Sequence, residues 1–203
     1  MKTSKLLLLT GIVFLMSFDV LSPGITDAER KRAVDLLSDS RDNLLKKVKG
    51  LSTEQLNFKA SPESWSIAEC VEHLALSENN IFGMYQSGMK VAADPSKRSE
   101  VKMTDDAVVG LIIDRTNKIK TSEMFVPSNK FGSYDATLKE FTVKRNNSIN
   151  YVKTTTDDMR NHYNDLPFGK IDTYQTILFM AGHSKRHTAQ IDEVMTNTNY
   201  PKK

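Results

Sequence analysis

Two of the four histidines in this sequence, His183 and His187, lie four residues apart. On a helix this spacing places both imidazoles on one face, one turn apart, where together they can bind one metal ion. A third histidine, His73, lies far earlier in another segment with helical periodicity. The residue after His183 is Ser184, whereas the His-Glu-x-x-His zinc proteases have their general base there, so that mechanism is not predicted.

The histidines need helices to position them, and the sequence contains strong helix-start signals. Thr26 with Glu29, and Ser66 with Glu69, have the spacing of capping boxes. Asp172 can cap the last helix. Apolar residues at three- and four-residue steps continue from each start. The pattern predicts main helices over about residues 26–49, 66–91, 105–120, 133–154 and 173–196.

The segments between these helices are predicted to be turns and loops. Ser52 can start a short helical turn, and residues 94–99 form a polar linker. The remaining predictions are loops over 123–132 and 164–170, and a turn over 154–158 that can open a short helical piece through Tyr163. His162 lies in this polar region, so we expect it to be an exposed loop residue.

Composition favours an all-α protein and argues against several functions. The chain has 203 residues, of which 39% are hydrophobic and 26% charged, and glycine and proline are sparse. The formal net charge is only +3, without a dense basic run, so no nucleic-acid partner is expected. The single cysteine, Cys70, excludes an intramolecular disulfide and a cysteine-based zinc finger, and a small buried hydrophobe is its expected role.

The amino-terminal residues differ from the rest of the chain. Lys2 and Lys5 precede an apolar run from Leu6 to Phe18. A basic start and a short apolar run are typical of a secretory signal, which we assign to residues 1–22. The protein is therefore expected to be exported to the periplasm. An uncleaved membrane anchor at the same residues, and an apolar first helix packed in the bundle, are the alternatives, since no Ala-x-Ala pattern follows the run.

Two blocks of sequence resemble the DinB/YfiT-like superfamily of small metal-binding helical bundles. The first is Glu63–Leu74, which includes Trp65 and His73 and is similar to the superfamily's helix with the first ligand. The second is Phe168–Tyr174 leading into Gly182–Ile191, which resembles its final helix with His-x-x-x-His and a following Gln. The resemblance implies an up-down four-helix bundle with short accessory helices over residues 26–200.

The resemblance also implies that His73, His183 and His187 are metal ligands. Three imidazoles leave a coordination position open for water or substrate, and zinc and nickel both accept this ligand set. Gln190, one turn beyond His187, and Glu72 are candidates to support the ligands through hydrogen bonds. Cys70, one turn before His73, is a less favoured fourth ligand. Trp65 is expected to pack at the start of its helix, with a place in the wall of the site as the alternative.

Several functions remain open from the sequence. The superfamily includes metal-dependent hydrolases and thiol S-transferases, and either reaction would act on a small-molecule substrate that the sequence does not identify. Export disfavours thiol transfer, since low-molecular-weight thiols are cytoplasmic reagents. The alternative to an enzyme is a non-catalytic metal-binding or protein-interaction bundle, in which a fourth protein ligand would close the site. A homodimer is a further expectation.

Overall fold

The computed structural model describes residues 24–116 and 120–202. In chain order its elements are six α-helices, two short 3-10 helices and one hairpin. The helices are α1 (Asp27–Val48), α2 (Thr53–Asn57), α3 (Ile67–Lys90), α4 (Asp105–Ile113), α5 (Tyr134–Thr154) and α6 (Thr173–Met195). The 3-10 helices are Pro95–Glu100 and Glu123–Phe125, and the antiparallel hairpin joins β1 (Tyr163–Leu166) to β2 (Gly169–Asp172).

The helix starts predicted from capping signals are confirmed. Capping boxes begin α1 at Thr26, α2 at Ser52, α3 at Ser66 and α6 at Asp172. In each, the cap side chain accepts a backbone N–H of the first turn, and the third helical residue reciprocates. These caps fix where α3 and α6 begin, and hence the heights at which His73, His183 and His187 lie.

Four long helices form the predicted bundle, and two apolar cores define their directions. One core joins the first halves of α1 and α6 to the second halves of α3 and α5, with Leu37 and Tyr85 among its members. The second core joins the opposite halves, with Leu44, Leu74 and Phe141 among its members. α1 and α6 are therefore parallel to each other and antiparallel to α3 and α5.

In chain order the four long helices run up, down, down and up, rather than alternating strictly up and down. α3 and α5 run in the same direction and pack against each other, as do α1 and α6. This arrangement requires the chain to return along the bundle after α3. The segment 91–133, which includes α4, makes that return, whereas 49–66 and 155–172 connect helices at one end.

The helix predicted over 105–120 ends at Ile113, so its predicted length is wrong. The Asp114 side chain accepts hydrogen bonds from the backbone N–H and the hydroxyl of Thr116, and this local turn competes with helix continuation. Arg186 of α6 donates to the carbonyls of Ile112 and Asp114 and so satisfies acceptors at the helix end.

The short helical piece predicted between the 154–158 turn and Tyr163, and the loop predicted over 164–170, are also wrong. Asp158 accepts from the backbone N–H groups of Arg160 and Asn161, which directs the chain into a turn. Residues 163–172 then form the hairpin, with Leu166 opposite Gly169. The hairpin folds against the end of α3, so His162 is buried, with its Nδ1 3.3 Å from the Gly88 carbonyl, and the expectation that it is exposed is wrong.

The predicted signal or anchor lies outside the described residues, since these begin at position 24. Within 24–116 and 120–202, no helix is long and apolar enough to span a membrane.

A buried ion pair joins all four long helices. Arg145 of α5 and Glu78 of α3 are both essentially inaccessible to solvent, and the guanidinium Nε lies 2.9 Å from Glu78 Oε2. Arg145 also donates to Ser40 Oγ of α1 at 2.5 Å and to Ser184 Oγ of α6 at 2.7 Å. The carbonyls of Leu37 and Met180 accept further hydrogen bonds from the same guanidinium. The cation of α5 therefore has a hydrogen-bonding partner on each of the other three long helices.

We predict that Arg145→Met lowers the free energy of unfolding by about 3–5 kcal/mol, because it leaves the Glu78 carboxylate buried without its counterion. Arg145→Met/Glu78→Leu should recover much of this loss, since the pair is then replaced by apolar groups. Urea unfolding of the three proteins measures both effects. Lys31→Met, which removes an exposed ion pair of α1, serves as the control and should have little effect. Equal stability of Arg145→Met and wild type would contradict the prediction.

α4 approaches α6 closely at Gly182. A Cβ placed on Gly182 would lie 2.3 Å from Ile112 Cγ2, which is far inside van der Waals contact. Gly182 itself is buried in α6, where it follows Ala181 of the first apolar core and precedes His183 in sequence. The absence of a side chain at this position therefore sets how near α4 can lie.

We predict opposite effects for two glycine-to-alanine substitutions within helices. Gly182→Ala should destabilise the protein by about 1–3 kcal/mol, because the new methyl group overpacks against α4. Gly83→Ala is the matched control: nothing lies within 4 Å of its added Cβ. It should stabilise α3 by about 0.5–1 kcal/mol, through lower backbone entropy in the unfolded chain. Urea unfolding measures both, and a stabilising Gly182→Ala would refute the close contact.

Candidate metal centre

The three predicted histidines come together at the interface between α3 and α6. His73 lies in the first half of α3, and His183 and His187 lie in the middle of α6. Their ligand atoms all lie within 4.8 Å of one another. The ring centroids are 4.3 Å apart for His73 and His187, 4.6 Å for His183 and His187, and 4.9 Å for His73 and His183. We call these three residues the histidine cluster.

Hydrogen bonds determine which ring nitrogens face the centre of the cluster. His73 Nδ1 lies 2.8 Å from the Phe125 carbonyl oxygen, and His187 Nδ1 lies 2.9 Å from Gln190 Oε1. Because both oxygens can only accept, both Nδ1 atoms carry the proton of a neutral ring. The Nε2 atoms of His73 and His187 consequently carry a lone pair in place of a proton, which is the form in which imidazole binds a metal.

His73 and His183 have the spacing of two ligands on a tetrahedral metal ion. His73 Nε2 and His183 Nε2 lie 3.2 Å apart. Zinc–nitrogen bonds of 2.0–2.1 Å at a tetrahedral angle place two ligand atoms about 3.3 Å apart. A cation between the rings would also satisfy the lone pair of His73 Nε2. The donor set is therefore one that can hold a divalent metal ion.

The electrostatic environment keeps the cluster neutral. Burial lowers the pKa of His73, despite the hydrogen bond from its ring to the Phe125 carbonyl. Burial, with smaller contributions from His187 and His73, holds the pKa of His183 well below 6.5. Burial and the neighbouring His73 lower the pKa of His187 to about 3. All three imidazoles are therefore unprotonated at neutral pH and available as ligands.

Aromatic side chains surround the imidazoles. The Trp65 ring lies 4.8 Å from His73 and 6.1 Å from His187, measured between centroids. The Phe125 ring is 6.1 Å from His73, and the Phe179 ring stacks on His183 at 6.2 Å. Trp65 also packs on the second apolar core at the start of α3. It therefore occupies both positions considered for it from the sequence.

Of the two residues expected to support the ligands, Gln190 contacts a histidine of the cluster and Glu72 does not. Gln190 is in hydrogen-bond contact with His187, as its place one turn further along the helix suggests. The Glu72 carboxylate instead accepts the backbone N–H groups of Ser128, Asn129 and Lys130, at 2.7–3.0 Å. Consecutive helical residues point about 100° apart, so Glu72 is directed away from the rings that His73 meets.

Glu72 still contributes to the cluster indirectly. The loop that it binds follows the 3-10 helix that presents the Phe125 carbonyl to His73. Asn129, at the centre of the three bound N–H groups, has a φ of 58°, a left-handed conformation that Asn tolerates well. Two adjacent α3 residues thus contact the same segment between α4 and α5. Glu72 binds the backbone N–H groups of its loop, and His73 contacts the Phe125 carbonyl.

Cys70 does not join the histidine cluster. Its side chain is fully buried in the second apolar core, and burial raises the pKa of the thiol to about 12. A thiol with that pKa remains protonated at neutral pH. Among residues 24–116 and 120–202, the histidines are the only His, Cys, Asp or Glu side chains that converge on the centre.

Three contributors to the site are not evident from the sequence. The Phe125 carbonyl comes from a segment predicted as an unstructured loop, and backbone acceptors have no sequence signature. Phe179 lies one turn before His183, so its spacing on α6 could have identified it. Arg115, whose Nη1 lies 3.4 Å from Gln190 Oε1, reaches the site from beyond the end of α4.

Comparison with known proteins agrees with this architecture. A curated relative, the uncharacterized protein YuaE of Bacillus subtilis (strain 168), is 26% identical over 162 residues, which cover 79% of this chain and 96% of the relative. The structure of YfiT from Bacillus subtilis superimposes with a TM-score of 0.58 at 16% identity and covers 87% of this chain and 91% of its own. YfiT is described as a probable metal-dependent hydrolase with an unusual four-helix bundle topology.

The family assignment rests on a match over most of the bundle. The model of the DinB superfamily matches residues 36–191, from the first half of α1 to the second half of α6. The matched region contains all three members of the histidine cluster. The chain belongs to the DinB superfamily.

Proposed function

We propose that this protein is a divalent-metal-dependent hydrolase that acts at the histidine cluster. The observation that carries the proposal is the open donor set: three imidazole nitrogens converge, and no fourth His, Cys, Asp or Glu among the described residues joins them. Three protein ligands with a free position are typical of catalytic sites, whereas structural sites have four. The description of YfiT as a metal-dependent hydrolase supports the same reaction class.

The chain's own residues have separable tasks in this proposal. The Nε2 atoms of His73, His183 and His187 would hold the ion. The Phe125 carbonyl and Gln190 Oε1 hold two of the rings in the required tautomer and orientation. When bound, a divalent ion supplies Lewis acidity, which polarises a carbonyl and lowers the pKa of water.

The aromatic side chains around the histidine cluster indicate that the protein would contact apolar groups of a substrate. Trp65, Phe125 and Phe179 present apolar ring surface within 4.8–6.2 Å of the imidazole centroids. Such walls exclude bulk water and favour apolar groups next to the scissile bond. Esters or amides with an apolar acyl group are therefore the first substrates to test.

The deciding experiment is a hydrolysis assay with the full chain loaded separately with zinc and with nickel. Turnover of ester or amide substrates that a chelator abolishes, and that returns with added metal, is the expected result. His183→Ala should remove turnover without unfolding the protein. Metal binding without turnover would favour a non-catalytic metal-binding module. Turnover that requires an added thiol would replace hydrolysis with S-transfer.

Metal binding itself gives an independent prediction. Protein purified without an affinity tag should bind about one zinc or nickel ion per chain. A saturating metal concentration about 100-fold above Kd should raise the free energy of unfolding by about 2.7 kcal/mol. His183→Ala should abolish this stabilisation, and His162→Gln, a substitution of a histidine outside the cluster, should retain it. Elemental analysis and urea unfolding measure these effects, and equal metal content in both variants would contradict the site.

The low pKa of His187 predicts a pH dependence for the metal-free protein. Its pKa is about 3 when folded and about 6.5 when unfolded, so protons bind preferentially to the unfolded chain as the pH falls below 6.5. At pH 5 this difference costs about 2 kcal/mol of stability relative to pH 7. His187→Gln, which cannot be protonated, should lose correspondingly less between pH 7 and pH 5 in urea unfolding. The same loss in both proteins would show that His187 is not buried in its neutral form.

A further inference from the structure

The amide oxygen of Gln190 connects the histidine cluster to the guanidinium of Arg115, a residue outside the four long helices. Gln190 Oε1 accepts the Nδ1–H of His187 at 2.9 Å and also faces Arg115 Nη1 at 3.4 Å. A carbonyl oxygen has two lone pairs, so it can accept both hydrogen bonds. Gln190 therefore lies between the ligand ring and a guanidinium, and both neighbours contact the same atom.

The orientation of this amide determines the tautomer of His187. The two ends of a glutamine side chain have nearly the same shape but opposite hydrogen-bonding character. With the NH2 group turned toward His187, the ring nitrogen Nδ1 would have to accept, and the proton would move to Nε2. An Nε2–H nitrogen cannot bind a metal ion. The ligand is competent only when the oxygen of Gln190 faces the ring.

Arg115 decides which end of Gln190 faces inward. A guanidinium has only donors, so it repels the NH2 end and favours the oxygen. Glu193 holds Arg115 in place with two hydrogen bonds, from Nε at 2.7 Å and from Nη2 at 2.6 Å. These bonds occupy one edge of the guanidinium, and Nη1 at the other edge is directed at Gln190. The Arg115 side chain is only 20% exposed, which limits its freedom to leave.

We propose that Arg115 is a positioning residue of the metal centre: it orients the Gln190 amide and thereby keeps the Nε2 lone pair of His187 available. The inference rests on the metal site of the proposed function, but it does not depend on the reaction. His187, Gln190 and Glu193 belong to one face of α6, at three-residue steps. Arg115 is the member from another segment, and its position depends on the docking of α4.

The proposal and simple electrostatics predict opposite effects of removing the Arg115 charge. A cation near the site repels a divalent ion, so on charge alone Arg115→Met should tighten metal binding. If Arg115 positions Gln190, the same substitution should weaken binding by roughly 10-fold, as loss of supporting hydrogen bonds does in metal sites. Competition of the full chain with a chromophoric chelator for cobalt or zinc measures the affinity. Unchanged or tighter binding in Arg115→Met would overturn the proposal.

Two further variants separate positioning from general damage. Arg41→Met is the matched control, because Arg41 of α1 is also mostly buried, at 23% exposure, and bonded to Asp42 and Asn146. It should leave metal affinity unchanged. Gln190→Glu is the rescue, since a carboxylate has no donor end and needs no orientation. Arg115→Met/Gln190→Glu should regain most of the lost affinity, and failure of this rescue would count against positioning.

A direct readout requires neither bound metal nor activity. Ring nitrogen chemical shifts of metal-free protein report which nitrogen of His187 carries the proton. Wild type should show the Nδ1–H form, and Arg115→Met should shift the population toward Nε2–H. A predominant Nε2–H form in wild type would overturn the proposal even if the variants differ in affinity. Absence of hydrolysis in wild type that shows the Nδ1–H form would count against the proposed reaction alone.

Discussion

The buried Arg145–Glu78 pair is the interaction on which the arrangement of the four long helices depends. A guanidinium in a dry core must place its donors on acceptors, because an unpaired buried donor or charge is expensive. Here the acceptors come from the other three long helices, α1, α3 and α6, so a shift of any of these helices or of α5 along its axis would break part of the set. Ser184, one of these acceptors, directly follows His183. The height of α6 relative to α3 is thereby fixed where the histidines meet.

The ion pair and the histidine cluster are both buried sets of polar groups that involve α3 and α6, but they differ in how their polar atoms are satisfied. At Arg145 every nitrogen of the guanidinium donates to an acceptor of the same chain, and the Glu78 carboxylate matches its charge. At the histidine cluster two rings present lone pairs to the centre, and the protein provides no matching charge. The first set is complete in the folded chain, whereas in our proposal the second is completed by a cation. By that proposal, this difference distinguishes a structural polar network from a binding site, even though both are buried and involve α3 and α6.

Much of the fold could be predicted because its determinants are local. Capping boxes at Thr26 and Ser66 and the apolar periodicity located the helix starts and the long helices to within a few residues. The i, i+4 spacing of His183 and His187 indicated a shared face. Arg145 lies at the spacing of the buried residues Phe141, Ile149 and Val152 of α5, but its buried partner was not predicted.

The features that could not be predicted depend on contacts between distant segments. α4 stops at Ile113 because Arg186 and a local turn at Asp114 replace its continuing hydrogen bonds. The hairpin forms where alternation is too short to recognise, and its packing against α3 buries His162. The carbonyl that fixes His73 belongs to a backbone whose position depends on the Glu72 contact with the loop. In each case the deciding partner is remote in sequence, and residue type alone does not reveal it.

α4 lies outside the four long helices, yet it is linked to the histidine cluster through the same short stretch of α6. Gly182 and Arg186, four residues apart, face α4: the glycine permits close approach to Ile112, and the arginine binds carbonyls at the end of α4. His183 and His187, each one residue later, face α3 with the same spacing. Adjacent stripes of one helix therefore serve two interfaces. The close docking of α4 brings Arg115 beside Gln190. Through the role that we propose for Arg115, the packing that Gly182 permits therefore also affects the tautomer of His187.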